Sequence, residues 1–376
     1  MPDRHLHIIS FNIPYPANYG GVIDVYYKLK ALQAQGVKVH LHSFKYDREA
    51  NGKLASVCHK VYYYKRRTGL KSTLSLKPYI VASRRSDELL NNLLKDEHPI
   101  LFEGLHSCYY LDHPKLKDRI KIYRESNIEH HYYYNLAGAE RNLLKKAYFL
   151  GASVKLKYYQ KVLKHADLML TVSKADTQYL QKYFPNNRII HLPSFHPNDE
   201  LNILPGKGSY ILYHGNLSVP ENTVAAEFLV REVFSDSDLP LYVAGLNPPD
   251  SLIKTINNSS NTKLIANPPD NEMFDLIRNA QINVLVTFQG TGLKLKLLNT
   301  LYNGRHVIVN KTILNGTGLG EFCTVRETAD SIAQSVRELF EKDFDNGEIK
   351  RRNALLNGDY SNKQNVRKLI NYIFGD

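Results

Sequence analysis

The sequence predicts an α/β fold built from two Rossmann-like halves, and three observations carry that reading. Branched apolar runs of strand length alternate with helix-length segments along nearly the whole chain, the order that builds parallel sheets from βαβ units. A loop at 194–208, bearing Pro197, Pro205 and two glycines, interrupts the alternation near the middle and reads as an interdomain linker. Val284–Asn310 reads as one complete strand–glycine loop–helix–strand unit. The expected halves are 1–195 and 209–355, and 376 residues suffice for two domains that each bury a core.

In the first half, His5–Phe11 reads as the opening strand, then comes the loop Asn12–Gly21 and a helix from about Val22 to Gln35 that Gly36 stops. Further strands are expected at Val37–Phe44, Val57–Tyr64, Pro99–Phe102, Ile120–Tyr123, Leu168–Val172 and Ile189–Pro193. Helices are expected at Ser83–Lys95, Lys155–His165 and Lys174–Tyr183, the last capped by Ser173. In the second half, strands fall at Ser209–Tyr213, Leu239–Gly245, Lys263–Ala266, Ile282–Phe288 and Val307–Val309. Helices fall at Thr223–Val230, Asn271–Ala280, Leu293–Asn303, Ala329–Lys342 and Ser361–Phe374. Gly304 stands where a left-handed helix C-cap belongs.

Ligands of doubly wound sheets bind beyond the carboxyl ends of strands, which singles out four places. Gly20 and Gly21 follow the first strand and let backbone approach a ligand closely. Glu103 and His106 follow Pro99–Phe102, where a lone histidine reads equally well as structural. Gly215 and Asn216 follow the first strand of the second half. Gly290, Thr291 and Gly292 lead into a helix whose polar side carries Lys296 and Asn299, with Lys294 in its first turn. A glycine loop before a helix start suits a phosphate, through free N–H groups and the helix dipole, although the same pattern is also an ordinary βα turn.

These segments resemble the retaining, two-Rossmann-domain (GT-B) glycosyltransferases of group 1, or family 4, and the likeness extends along nearly the whole chain. It implies two domains facing each other across a cleft, with a terminal helix, 356–376, packing back on the first. The family's glycine loop holds a donor diphosphate and is flanked by two glutamates. Alignment on Gly304 puts those glutamates at Thr291 and Asn299; Asn299 can still bond a ribose hydroxyl, but Thr291 supplies no carboxylate. The Gly-Arg-Leu turn and the lysine of the family correspond to Gly215-Asn216-Leu217 and Glu221, so both cations are replaced. Arg124-x-x-Asn127-x-Glu129 resembles a segment near the acceptor in several group 1 enzymes, with a plain helix start as the alternative. The resemblance thus implies a donor nucleotide at Gly21, Gly215, Asn216, Thr291, Gly292, Lys294, Lys296 and Asn299. It implies an acceptor at Gly20, Arg124, Asn127 and Glu129, with Glu103 and His106 beside the reacting sugar. No metal or cofactor is expected beyond the nucleotide-diphosphate sugar itself.

The net charge of +12 is uneven: Lys and Arg outnumber Asp and Glu by 31 to 18 over residues 1–200, against 18 to 19 thereafter. Ala50–Ser86 holds nine basic residues and no acidic one, which reads either as a solvated face or as a contact for an anionic membrane surface. A nucleic-acid partner is not expected, since no reading module accompanies that charge. The three cysteines, Cys58, Cys108 and Cys323, form no metal or disulfide spacing. With no apolar run long enough to span a bilayer and no secretory segment before the first strand, a cytoplasmic protein at or near the inner membrane face is expected. The expected activity is sugar transfer from a nucleotide-diphosphate donor to a glycan or polyprenyl-diphosphate-linked glycan. A GT-B sugar epimerase and a catalytically silent sugar-nucleotide-binding subunit stand as alternatives.

Overall fold

The computed structural model describes residues 3–140, 142–288 and 295–375, and everything below concerns those residues. The chain forms two compact units: 1–197 with 359–376, and 198–290 with 294–358. The division thus falls at Pro197/Asn198, inside the expected linker, and the terminal segment joins the first unit from Asp359 onward.

The first unit holds seven parallel strands: β1 His5–Ser10, β2 Lys38–Lys45, β3 Lys60–Lys65, β4 Ile100–Glu103, β5 Lys121–Arg124, β6 Leu168–Thr171 and β7 Arg188–His191. Their order is β3-β2-β1-β4-β5-β6-β7, so the winding reverses between β1 and β4. His7 and Ile9 of β1 stand opposite Ile100 and Phe102 of β4. Strand alternation divides the core. Leu6, Ile8, Val39 and Leu41 face helix Gly20–Ala34, and Ile9, Phe44 and Phe102 belong to the core of the other face. The terminal helix Asn362–Phe374 lays Val366, Leu369, Ile370 and Ile373 against the first of these cores. Gly36 ends helix Gly20–Ala34 with φ +76°, the left-handed geometry that glycine adopts without a Cβ clash.

The second unit holds six parallel strands: β8 Ile211–Asn216, β9 Leu241–Leu246, β10 Thr262–Ala266, β11 Ile282–Leu285, β12 His306–Val309 and β13 Thr324–Val325. The order β10-β9-β8-β11-β12-β13 again reverses, here between β8 and β11. Ile211 and Tyr213 point into one core with Val243 and Val284, while Leu212 points into the other with Ala244 and Ile277. Both sheets follow the doubly wound plan, whose ligand crevice lies at the reversal.

Several elements depart from expectation. The helix expected over Lys155–His165 is in part the tail of a longer one, Leu143–Tyr159, which tightens into a 3-10 segment over Gln160–His165 and pairs with a further helix at Glu129–Ala139. The short strand β13 and the helices Asp250–Asn257 and Asn346–Leu356 add to the sequence reading. Gly304 is not left-handed. A Cβ there would lie 2.4 Å from Asn283 Nδ2 and 3.1 Å from the Thr300 carbonyl, so close packing rather than cap geometry requires the glycine.

Candidate functional site

In the first unit the reversal brings together the ends of β1 and β4. Gly104 leaves β4 with φ +68°, turning the chain so that the His106 ring lies 5.2 Å from the Phe11 ring at the end of β1. Gly21 sits under the same ring: a Cβ there would come within 2.7 Å of Phe11 Cζ. Gly21 therefore lets the helix start close against Phe11, and Gly20 begins that helix. Arg84 spans the site from the side, donating from Nε to the Phe11 carbonyl at 2.8 Å and from Nη1 to the Ile80 carbonyl at 2.5 Å.

Glu129 enters from the start of helix Glu129–Ala139. Its Oε1 lies 3.5 Å from His106 Nδ1, with the carboxyl almost wholly buried and the imidazole about 20% exposed. Burial pushes the Glu129 carboxyl up to about 8, against the pull of Arg84. Burial, reinforced by the charges of Arg84 and Arg66, holds His106 well below its ordinary value. Near neutral pH both groups are therefore uncharged, an acid and a base side by side. His106 Nδ1, Glu125 Oε1 and Asn127 Oδ1 are buried and find no hydrogen-bond partner among the described residues. Orphaned polar atoms of this kind are rare in folded interiors, and Glu125, Asn127 and Glu129 follow one another along the segment that leaves β5.

Two residues expected at the substrate belong instead to the foundation beneath it. Glu103 Oε1 accepts from Lys28 Nζ at 2.6 Å, and Lys28 also donates to Asp24 at 3.0 Å. Arg124 grips both Asp24 oxygens at 3.1 Å and donates to the carbonyls of Leu192 and Pro193. All four side chains are buried. Burial raises the Glu103 pKa, with Asp24 adding to the effect. Burial opposes ionisation of Asp24 too, yet Arg124 and Lys28 hold its carboxyl well below the usual range. Two cations and two anions without water must neutralise one another, and that pairing turns Glu103 and Arg124 away from any acceptor.

In the second unit the reversal brings β8 and β11 together. Gly215 stands opposite Gly245 in β9, where a Cβ on Gly245 would lie 1.8 Å from the Gly215 carbonyl oxygen. Asn216 closes the turn that follows, its Oδ1 accepting from Ser218 N at 3.1 Å and Ser218 Oγ at 2.7 Å. Helix Pro220–Phe228 begins there, and the Thr287 hydroxyl beyond β11 donates to Glu221 near its start. Lys296, on helix Leu295–Asn303, donates to Asn222 Oδ1 at 3.2 Å and lies 5.6 Å from the centre of the Tyr213 ring. Behind it His214 Nε2 bonds Thr300 Oγ1 at 2.8 Å, its pKa lowered to about 3 by burial and then by Lys296. Asn299 is half-buried and accepts from Asn303 Nδ2 at 3.1 Å. Thr291, Gly292 and Lys294 lie outside the described residues.

No family model matches the chain. It is 27% identical over 335 residues to a Klebsiella pneumoniae protein described as an uncharacterized 44.6 kDa protein in cps region, covering 83% of this chain and 84% of that one. Among solved structures, a TarM variant of S. aureus in complex with fondaparinux, alpha-GlcNAc-glycerol and UDP matches with a TM-score of 0.67 and 13% identity, over 100% of both chains. Arabidopsis thaliana UGT89C1 complexed with UDP-L-rhamnose matches at 0.59 and 13%, over 99% of this chain and 100% of that one. An alpha,alpha-trehalose-phosphate synthase (UDP-forming) from Burkholderia vietnamiensis matches at 0.60 and 9%, over 97% and 95%. The two parallel sheets with their helices are the GT-B fold. No described helix is long and apolar enough to cross a membrane.

Proposed function

We propose that this chain is a glycosyltransferase, moving a sugar from a nucleotide-diphosphate donor to a hydroxyl of a glycan or lipid-linked glycan, in the synthesis of a surface polysaccharide. The observation that carries the reading is the uncharged pair His106 and Glu129, 3.5 Å apart at a sheet reversal and beside orphaned polar atoms. A neutral imidazole there can accept an acceptor hydroxyl's proton while the protonated carboxyl donates a hydrogen bond. In this reading Asn127 Oδ1, buried without a hydrogen-bond partner among the described residues, bonds a further sugar hydroxyl. In the second unit Lys296 supplies charge for a diphosphate, a role for which the turn after β8 has no cation of its own. Gly215, Asn216 and Asn299, with Thr291, Gly292 and Lys294, complete the proposed donor side. The proposed reaction needs no metal, since lysine, backbone amides and helix dipoles meet the leaving group's charge. The relative's place in a cps region supports a polysaccharide context.

A lipid-linked acceptor is supported by a cavity of about 270 Å³ lined by Tyr79, Ile80, Tyr133, Tyr148 and Leu156, reached from the same helix that carries Glu129. The test is a thermal-shift screen of nucleotide sugars, followed by turnover of the stabilising, radiolabelled donor with and without polyprenyl-diphosphate glycan. Acceptor-dependent transfer that falls at least tenfold in His106→Ala supports the reading. Conversion without acceptor assigns an epimerase, and binding without turnover assigns a silent subunit.

A further inference from the structure

Six of the chain's 15 histidines gather at the opposite edge of the first sheet, where its strands begin. His5 and His7 alternate along β1 and His40 and His42 along β2, so all four project from one face. His98 joins them from the loop before β4, its ring stacked on His5 at 4.5 Å. We propose that His5, His40 and His98 form a binding site for a divalent transition metal of the zinc class, separate from the sugar-transfer site.

Ligand nitrogens of these three residues all lie within 4.8 Å of one another, and His5 Nδ1 is already 2.8 Å from His40 Nε2. Tetrahedral zinc with bonds of about 2.0–2.1 Å holds its nitrogens roughly 3.3 Å apart, so shifts on the order of 1 Å close the triad. Imidazole suits zinc, nickel or copper, and the set offers no carboxylate or carbonyl array of the kind calcium or magnesium takes. His40 is buried while His5 and His98 are part-exposed, which leaves an ion a path from solvent. His59, exposed and 5.2 Å from the His40 ring, stands where a fourth ligand or a water would complete the shell.

The surroundings hold these rings in place. Arg119 donates to the carbonyls of His98, Asp96 and Leu93, and Asp96 Oδ1 accepts from the His98 backbone N–H at 3.1 Å, fixing the loop that carries His98. His7, stacked on His40 at 4.8 Å, bonds Asp96 at 2.9 Å through Nε2 and His42 Nε2 at 2.8 Å through Nδ1. His42 Nδ1 then meets the Tyr64 hydroxyl at 2.7 Å, which accepts from Asn92 at 3.0 Å. Read as one chain of donors, Asn92 donates to Tyr64, Tyr64 to His42, His42 to His7 and His7 to Asp96. That order fixes each tautomer and steadies the stack behind the triad, the usual role of residues one layer out from a metal. His7 and His42 are therefore occupied, and of the four remaining histidines, His5, His40 and His98 are those whose nitrogens converge.

The test is equilibrium dialysis of the chelator-stripped, full-length protein against Zn²⁺ alone, with metal content read by atomic emission and cobalt substitution read by visible absorption. We expect one tight equivalent, with affinity at least tenfold lower in both His98→Ala and His5→Ala and unchanged in His113→Ala, a histidine outside the cluster. Both ligand variants remove part-exposed rings, and circular dichroism checks that they fold. A wild-type protein that takes up no zinc, or variants that retain the equivalent at unchanged affinity, overturns the site.

Discussion

Glu129→Gln should make this protein more stable at neutral pH while disabling it. The carboxyl's ordinary value is 4.5 and its folded value about 8, so the native state keeps a proton that the unfolded chain releases between those values. A raised acid contributes its stability in full below about pH 4.5, and that stability drains away as pH rises, at about 1.4 kcal/mol per unit. By pH 7 the loss reaches about 3 kcal/mol, and above the folded pKa it levels off. Glutamine has the shape of the protonated acid and nothing to ionise, so it escapes the loss. Allowing about 1 kcal/mol for a poorer contact with His106, a net gain of roughly 2 kcal/mol is expected at pH 7 and none at pH 4.5. Urea unfolding of both proteins across that range measures the difference, and donor turnover should fall at least tenfold. A gain that does not change with pH, or a loss at pH 7, would show that Glu129 is ionised in the fold and would refute the neutral-pair argument.

Two further substitutions separate foundation from site. Arg124→Met leaves two buried carboxyls, Asp24 and Glu103, sharing the single cation Lys28 and should cost about 3–5 kcal/mol of stability, read by denaturant unfolding, because one buried charge is no longer neutralised; stability near wild type would make Arg124 a contact residue again. Lys296→Ala should weaken nucleotide binding by roughly 1.5–3 kcal/mol in calorimetry if the ammonium bonds a diphosphate oxygen, and unchanged affinity removes it from the donor site.

Periodicity made the fold legible. Every strand but the two-residue β13 overlaps a segment that the sequence marks as strand, and the reversal points follow once strand order is known. The strand ends were legible for the same reason, which singles out His106, whereas Glu129 was legible only through the resemblance of Arg124-x-x-Asn127-x-Glu129 to a family segment. Which polar residue at a strand end faces a ligand was not legible. Glu103 and His106 are three positions apart, yet Glu103 is claimed by Lys28, 75 residues away, and Arg124 by Asp24, 100 residues away. Nothing local in the sequence announces pairs at that separation. Arg84 was counted only as one charge in a basic run, although it lies buried against Phe11. The histidine cluster left a signal, the repeated His-Leu-His of β1 and β2. Each copy reads alone as an ordinary half-buried strand, and only their pairing puts four rings on one face.

The basic segment Ala50–Ser86 acquires a companion in the structure that changes what its charge can do. Leu74 and Leu76 in that segment are 82% and 98% exposed, and on helix Leu143–Tyr159 so are Leu143 and Leu144, at 79% and 84%. The two stretches lie side by side, since Lys155 Nζ donates to the Ser75 carbonyl at 3.0 Å. Arg66, by contrast, is stacked on Tyr46 and bonded to Ser83, and Arg67 pairs with Asp87 at 3.5 Å, so part of the expected charge is already engaged within the fold. Exposed leucines beside lysines are the makings of an interfacial anchor, with apolar side chains entering the headgroup boundary and cations meeting anionic lipid. Four leucines, each even half-buried at about 1 kcal/mol, match three or four cations at roughly 1 kcal/mol each. The protein should therefore sediment with liposomes containing anionic lipid. Raising salt from about 0.1 M to 1 M, where the Debye length drops from about 10 Å to 3 Å, should weaken that binding without abolishing it, because the apolar half is not screened. Charge reversal at Lys65, Arg66 and Arg67 should weaken it likewise, and replacing Leu143 and Leu144 by glutamate should abolish it. Binding that vanishes in salt and ignores the leucine pair would assign the contact to charge alone. Absence of binding to either neutral or anionic vesicles would leave both stretches as solvated surface and the acceptor as a soluble glycan.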